Sequence, residues 1–123
     1  MNKFVVLLSL LALSGCAETV RETSTTTTAQ APWQIAVQSF GPGFQREMSG
    51  LNINQQLFGE SEAADYAQVS VEQFNLMDDS VIAQKTDFRL RKRNNQWIII
   101  SQINSVKCRE GRGHQDFSAS PCR

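Results

Sequence analysis

The chain reads as an α+β domain in which short N-terminal helices pack on a three- or four-stranded antiparallel meander, followed by a closing C-terminal loop. The stretch from Ala67 to Phe74, "AQVSVEQF", alternates strictly, with Val69 and Val71 on one face and Gln68, Ser70 and Glu72 on the other. Two long apolar-rich runs flank Asn94-Asn95, a pair that tolerates positive φ and so suits a tight hairpin turn. Trp33, Val37 and Phe40 recur at helical spacing just after Pro32, a residue well placed in a first helical turn.

The elements follow in order. Gly41-Pro42-Gly43 ends the first helix. Phe44, Met48, Leu51 and Phe58 continue an apolar stripe, and this region is expected as further short helix, although "LNINQQLF" from Leu51 to Phe58 also alternates like a strand. The first secure strand spans 67–74, and "LMDDS" supplies its turn. The second strand, 81–93, puts Ile82, Phe88 and Leu90 on one face and Lys85, Asp87, Arg89, Arg91 and Arg93 on the other. The third, "WIIISQINSVKC" from Trp97 to Cys108, reads as buried on both faces at its start and alternating later. No internal repeat is visible.

The N-terminus does not belong to this domain. Lys3 precedes an apolar run of roughly ten residues, too short for a lasting transmembrane helix, which needs about 20, but suited to a secretory signal. Leu13, Ser14, Gly15 and Cys16 then resemble the lipobox of bacterial lipoproteins. The resemblance implies cleavage before Cys16, diacylglycerol on its sulfur and an acyl chain on the new amino terminus. Several acyl chains anchor stably where one binds only marginally. Ala17 after the cysteine resembles the outer-membrane sorting pattern of that family, so the expected location is the outer membrane, facing the periplasm. Residues 1–15 are thus the signal peptide. Residues 16–32, polar and threonine-rich, are a lipidated flexible tether holding the domain on the order of 20 Å from the lipid. Residues 33–123 form the single small domain.

With Cys16 lipidated, Cys108 and Cys122 remain as the intramolecular pair expected in an oxidising compartment. Closing a loop of about 15 residues stabilises a small domain by roughly 3 kcal/mol on the chain-entropy account. A metal site is the rival reading of these thiols with His114, but two sulfurs and one imidazole fall short of a closed four-ligand zinc site. No metal or other cofactor is expected. The glycines at 111 and 113 permit the chain reversal, and Phe117 is expected to cap the core.

"FRLRKRNNQWIII", a strand, polar turn and tryptophan-led strand after a helix-rich start, resembles the closing half of nuclear-transport-factor-2-like domains over some 40 residues. That resemblance implies a conical pocket, here lined by Trp33, Phe44, Phe88 and Trp97, for a small ligand or an enzymatic reaction. It maps no catalytic acid or base onto this chain.

Metal-site, phosphate-loop and nucleophile-elbow motifs are missing. His114 is the sole histidine, and beside glycines it reads as a loop polar group, with Asp116 able to orient its ring. Asp78, Asp79, Glu60, Glu62 and Asp65 read as turn and surface carboxylates. Charge is more informative than its zero sum: residues 16–79 carry two basic and nine acidic side chains, residues 80–123 nine basic and three acidic. On one reading the two halves neutralise one another by packing together. Alternatively, Arg89, Arg91 and Arg93 on one strand, or Lys107, Arg109, Arg112 and His114 around the loop, form an anion-recognising patch, since arginine forks bind carboxylates and phosphates bidentately. An anionic envelope component or an acidic protein is the partner this implies. The compartment and a mature charge near −1 argue against nucleic acid. The expected function is a non-enzymatic, lipid-anchored binding module. A pocket protein of the kind implied above and a purely structural envelope lipoprotein are the alternatives.

Overall fold

A computed structural model describes residues 29–44, 49–60 and 62–123. The signal peptide, the lipobox with Cys16, the tether up to residue 28, and Met48 lie outside the described residues. No helix among the described residues is long and apolar enough to cross a membrane.

Among the described residues there are one helix and four strands: α1 (Pro32–Gln38), β1 (Gly50–Phe58), β2 (Tyr66–Phe74), β3 (Val81–Arg93) and β4 (Gln96–Cys108). The strands form one antiparallel sheet in the order β1-β2-β3-β4. The expected meander is present, with a single short helix rather than several and with a fourth strand in front.

Helix α1 starts where the sequence says. Pro32 occupies its first turn, and the Gln34 side-chain carbonyl accepts from the Ala31 N–H at 2.8 Å, so an otherwise orphaned donor is satisfied. Gly41 at φ 81° lets the chain leave, as its missing Cβ allows.

The region expected as further helix is instead β1, from residue 50 onward. The reason lies in its neighbour: β2 is a central strand whose second edge needs a ladder partner, and a helix would leave those backbone groups unpaired. The alternation in "LNINQQLF" was the correct signal. Ile53 lies opposite Val71 and Leu57 opposite Ala67, aligning apolar positions on one face. Gly50 leaves room for the Phe74 ring, which a Cβ here would meet at 2.2 Å and displace.

The core lies between α1 and one face of the sheet. Ala36 and Val37 pack against Ala67, Val69, Val71, Phe88 and Leu90, with Ile35, Phe40, Phe44, Ile53, Trp97 and Ile99 around them. Phe40 stacks on Phe44 at 4.5 Å and meets Phe88 edge-on at 5.6 Å. Buried Thr86 donates to the Asn104 side-chain carbonyl at 3.0 Å, and buried Gln73 accepts from Gln84.

Asn94 and Asn95 both take positive φ, 49° and 62°, and make the expected hairpin. The start of β4 is not buried on both faces: Ile98 and Ile100 are 43% and 46% exposed, because β4 is an edge strand with the helix on one side only. A register shift between Arg89 and Leu90 leaves Ile100 without a Cα partner on β3.

Cys108 and Cys122 are joined as a disulfide with Cα atoms 5.5 Å apart. The segment after β4 folds back so that Val106 and Ser118 exchange backbone hydrogen bonds of 2.9 and 3.0 Å. Phe117 does not join the core: its ring lies 4.8 Å from Lys85 Nζ, on the face of the sheet opposite α1. The turn between β4 and this segment fixes the side on which Phe117 emerges.

Candidate functional site

The two basic groups of the sequence end in different situations. Around the loop, guanidinium and imidazole groups turn toward backbone carbonyls. Arg109 Nε donates to the Asp78 carbonyl at 2.6 Å and Nη2 to the Leu76 carbonyl at 2.7 Å, while its N–H donates to the Ser80 carbonyl at 2.8 Å. Arg109 therefore clamps the turn between β2 and β3 onto the loop. In that turn, Asp78 Oδ1 accepts from the N–H groups of Ser80 and Val81 at 2.8 and 2.7 Å, which with nearby Arg109 holds its carboxyl below the usual range. Arg112 Nη1 donates to the Arg123 carbonyl at 3.3 Å.

His114 is held at both ring nitrogens. Nε2 lies 2.7 Å from the Ser120 carbonyl oxygen and Nδ1 2.8 Å from that of Asp116. A carbonyl can only accept, so both nitrogens are satisfied together only when both carry protons. The two carbonyls accordingly raise the His114 pKa above its ordinary value of 6.5, the Ser120 contact first, with the Asp116 carboxylate adding to the effect. One His114 nitrogen and the sulfurs of Cys108 and Cys122 fall within 4.8 Å of one another, but in the disulfide neither sulfur is a thiolate ligand.

The other basic group stands on the sheet face away from α1, where Phe117 of the C-terminal segment covers one end beside Lys85 and no helix or strand covers the remainder among the described residues. Its cross-strand rows can be read from the register. Phe58, Tyr66, Arg91 and Ile98 form one row; Gln56, Gln68, Arg89 and Ser101 the next; Asn54, Ser70, Asp87 and Ile103 a third; Asn52, Glu72, Lys85 and Ser105 a fourth. Arg93, opposite Gln96, continues the β3 series on this face, and Lys107 lies at its other end opposite Ala83.

The charges are unevenly engaged. Lys85 pairs with Asp87 at 3.5 Å and covers Phe117. Ser70 hydroxyl donates to Asp87. Arg91 pairs with Asp65 at 3.6 Å and lies 5.4 Å from the Tyr66 ring centroid. Arg89 and Arg93 are exposed, and neither makes an ion pair or side-chain hydrogen bond among the described residues.

The four aromatic residues expected around one pocket separate. Trp33 and Phe44 line a hollow of about 310 Å³ with Val37, Leu51 and Ile53. Trp97 lines another of about 420 Å³ with Ile35 and the Asn94-Asn95 turn, and Phe88 is buried in the core. The carboxylates Glu60, Glu62, Asp65, Asp78 and Asp79 are exposed on turns and connections. The inward use of Arg109 was not legible in the sequence, because its acceptors lie more than 30 positions away.

Comparison with protein-family models, with characterised proteins and with solved structures finds no match to this chain.

Proposed function

We propose that this chain is a lipid-anchored, non-enzymatic binding module of the bacterial cell envelope, held through acylated Cys16 and facing the periplasm, which recognises phosphate-bearing headgroups with the uncovered face of its sheet. The observation that carries this reading is the exposed pair Arg89 and Arg93, two guanidiniums unengaged among the described residues, on the same face as Arg91. Four residues along a strand span about 13 Å, so Arg89 and Arg93 can meet separate phosphates. Beside them, Phe58, Tyr66, Ile98 and Ile103 add apolar and aromatic surface, the composition of an interfacial contact. A tether on the order of 20 Å keeps this face within reach of the membrane that holds the lipid. The loop cations suit the role less, because Arg109 and His114 already serve backbone carbonyls.

Residues 17–123, purified without the lipid, are expected to co-sediment with vesicles of phosphatidylglycerol and phosphatidylethanolamine but not of phosphatidylcholine. Binding should weaken with salt. Replacing both Arg89 and Arg93 by alanine should abolish it without lowering the thermal midpoint, whereas Arg112→Ala should leave it intact. Binding that survives loss of both strand arginines but not of Arg112 would return the site to the loop. Anchoring is tested separately, by the mass of the mature N-terminus and its loss of acyl chains in Cys16→Ser.

A further inference from the structure

Charge is distributed across this sheet in an unusual way. All the charged side chains of the 50–58, 66–74 and 81–93 strands and of β4 up to Val106 lie on the two central strands; β1 and residues 96–106 of β4 carry none. Natural sheets ordinarily place charge, proline or a bulge on the edge to prevent pairing with another chain. On β4 a register shift and the pairing of Val106 with Ser118 interrupt the outer edge. On β1 there is neither: its nine residues pair with β2 in unbroken register, and no strand among the described residues pairs with its other side.

The side chains of β1 are also self-complementary. Leu51 and Leu57 sit on the core face near the rim and are 48% and 50% exposed. They are symmetric about Asn54. If two β1 strands pair antiparallel with Asn54 opposite its own copy, Leu51 of each chain faces Leu57 of the other, Ile53 faces Gln55, and Asn52 faces Gln56. A one-residue slip would put these leucines on the opposite face from their partners. Trp33, 41% exposed, stands over the same rim, where its backbone N–H donates to the Gln55 side-chain carbonyl at 2.9 Å.

We propose that a second copy of this chain docks on the β1 edge, making a two-fold symmetric dimer with one continuous eight-stranded sheet centred on Asn54. The contact is isologous, so the same patch serves both partners. The absence of charge removes like-charge repulsion across the axis, and the exposed leucines become a shared extension of each core. Opposed residues of an antiparallel pair point to the same side of the sheet, so both uncovered faces look the same way. Two tethers anchored in one membrane are compatible with that arrangement. The dimer does not depend on the proposed recognition of phosphate headgroups, and Arg89 and Arg93 play no part in it.

The test is cysteine cross-linking of the full chain in its own envelope. Opposed residues of a pair have Cα atoms about 4.5–5.5 Å apart, within disulfide range. Under mild oxidation, Asn54→Cys should yield a non-reducing dimer band absent from the native chain, whereas Asn52→Cys, which faces Gln56 rather than itself, should not. Combining Asn52→Cys with Gln56→Cys should restore the band. In the Asn54→Cys background, Leu51→Glu should reduce cross-linking to the native level, and adding Leu57→Lys should recover it, because each new carboxylate then faces an ammonium on the partner. Intact Cys108–Cys122 and an unchanged far-ultraviolet circular dichroism spectrum report that these variants fold. Equal cross-linking at positions 52 and 54, none at 54, or cross-linking only through Ile103→Cys on β4 would overturn the proposal.

Discussion

His114 shows how local geometry sets a protonation state. Its two ring nitrogens face two carbonyl oxygens, so the folded loop favours the imidazolium over the neutral ring. A raised folded-state pKa makes the contribution to stability complete below the unfolded value of 6.5 and lost as pH rises through the folded value. As the chain has one histidine, its ring proton resonances can be followed without assignment ambiguity. The midpoint should lie above 6.5, and amides of residues 114–120 should lose hydrogen-exchange protection across the same transition, beyond the intrinsic rise in exchange rate with pH. A midpoint at or below 6.5 would mean that the carbonyls are not accepting from both nitrogens. The sequence announced this residue only as a loop polar group, since neither acceptor is a side chain.

Among the elements, the C-terminal segment depends most on a single covalent link. The 14-residue separation between Cys108 and Cys122 corresponds to a stabilisation of roughly 3 kcal/mol. Reducing the bond, or replacing both cysteines by serine, should lower the free energy of unfolding by about that much in urea titrations and expose residues 109–123 to proteolysis before the sheet. Simultaneous cleavage in sheet and segment would show that the segment is not separately released. This element was legible from cysteine arithmetic once Cys16 was set aside. Strand β1 was not, because Phe44, Leu51 and Phe58 fit a helical stripe as well as a strand, and the deciding fact is the unmet edge of β2. The exposed isoleucines of β4 have the same explanation: "WIII" is equally compatible with a central or an edge strand until the topology is known.

Across the molecule, the core formed by the described residues is thin. Its fully buried large side chains are few, led by Phe88 and Leu90, while alanines and valines fill the contact between α1 and β2. A domain of this size is stable by only about 5–15 kcal/mol, and truncation of a buried phenylalanine removes roughly 3–5 kcal/mol. Phe88→Ala should therefore consume a large part of the total, with an added loss of the edge-on contact to Phe40. Calorimetry or urea unfolding checks this, and a cost near zero would mean that the helix does not close the core over Phe88. Among the described residues, opposite charges from the two halves of the sequence meet at the sheet, where Glu72 of β2 lies opposite Lys85 of β3 and Asp65 pairs with Arg91.

Periodicity, turn chemistry and cysteine count were enough to place α1, three strands, the Asn94-Asn95 hairpin and the disulfide, because each depends on residues close in the chain or on a pairing with no competitor. The addition of β1 to the meander, the edge position of β4, the face taken by Phe117, and the internal use of Arg109 and His114 depend on which distant backbone groups come within hydrogen-bond reach. Those distances are fixed by packing, and no local pattern encodes them.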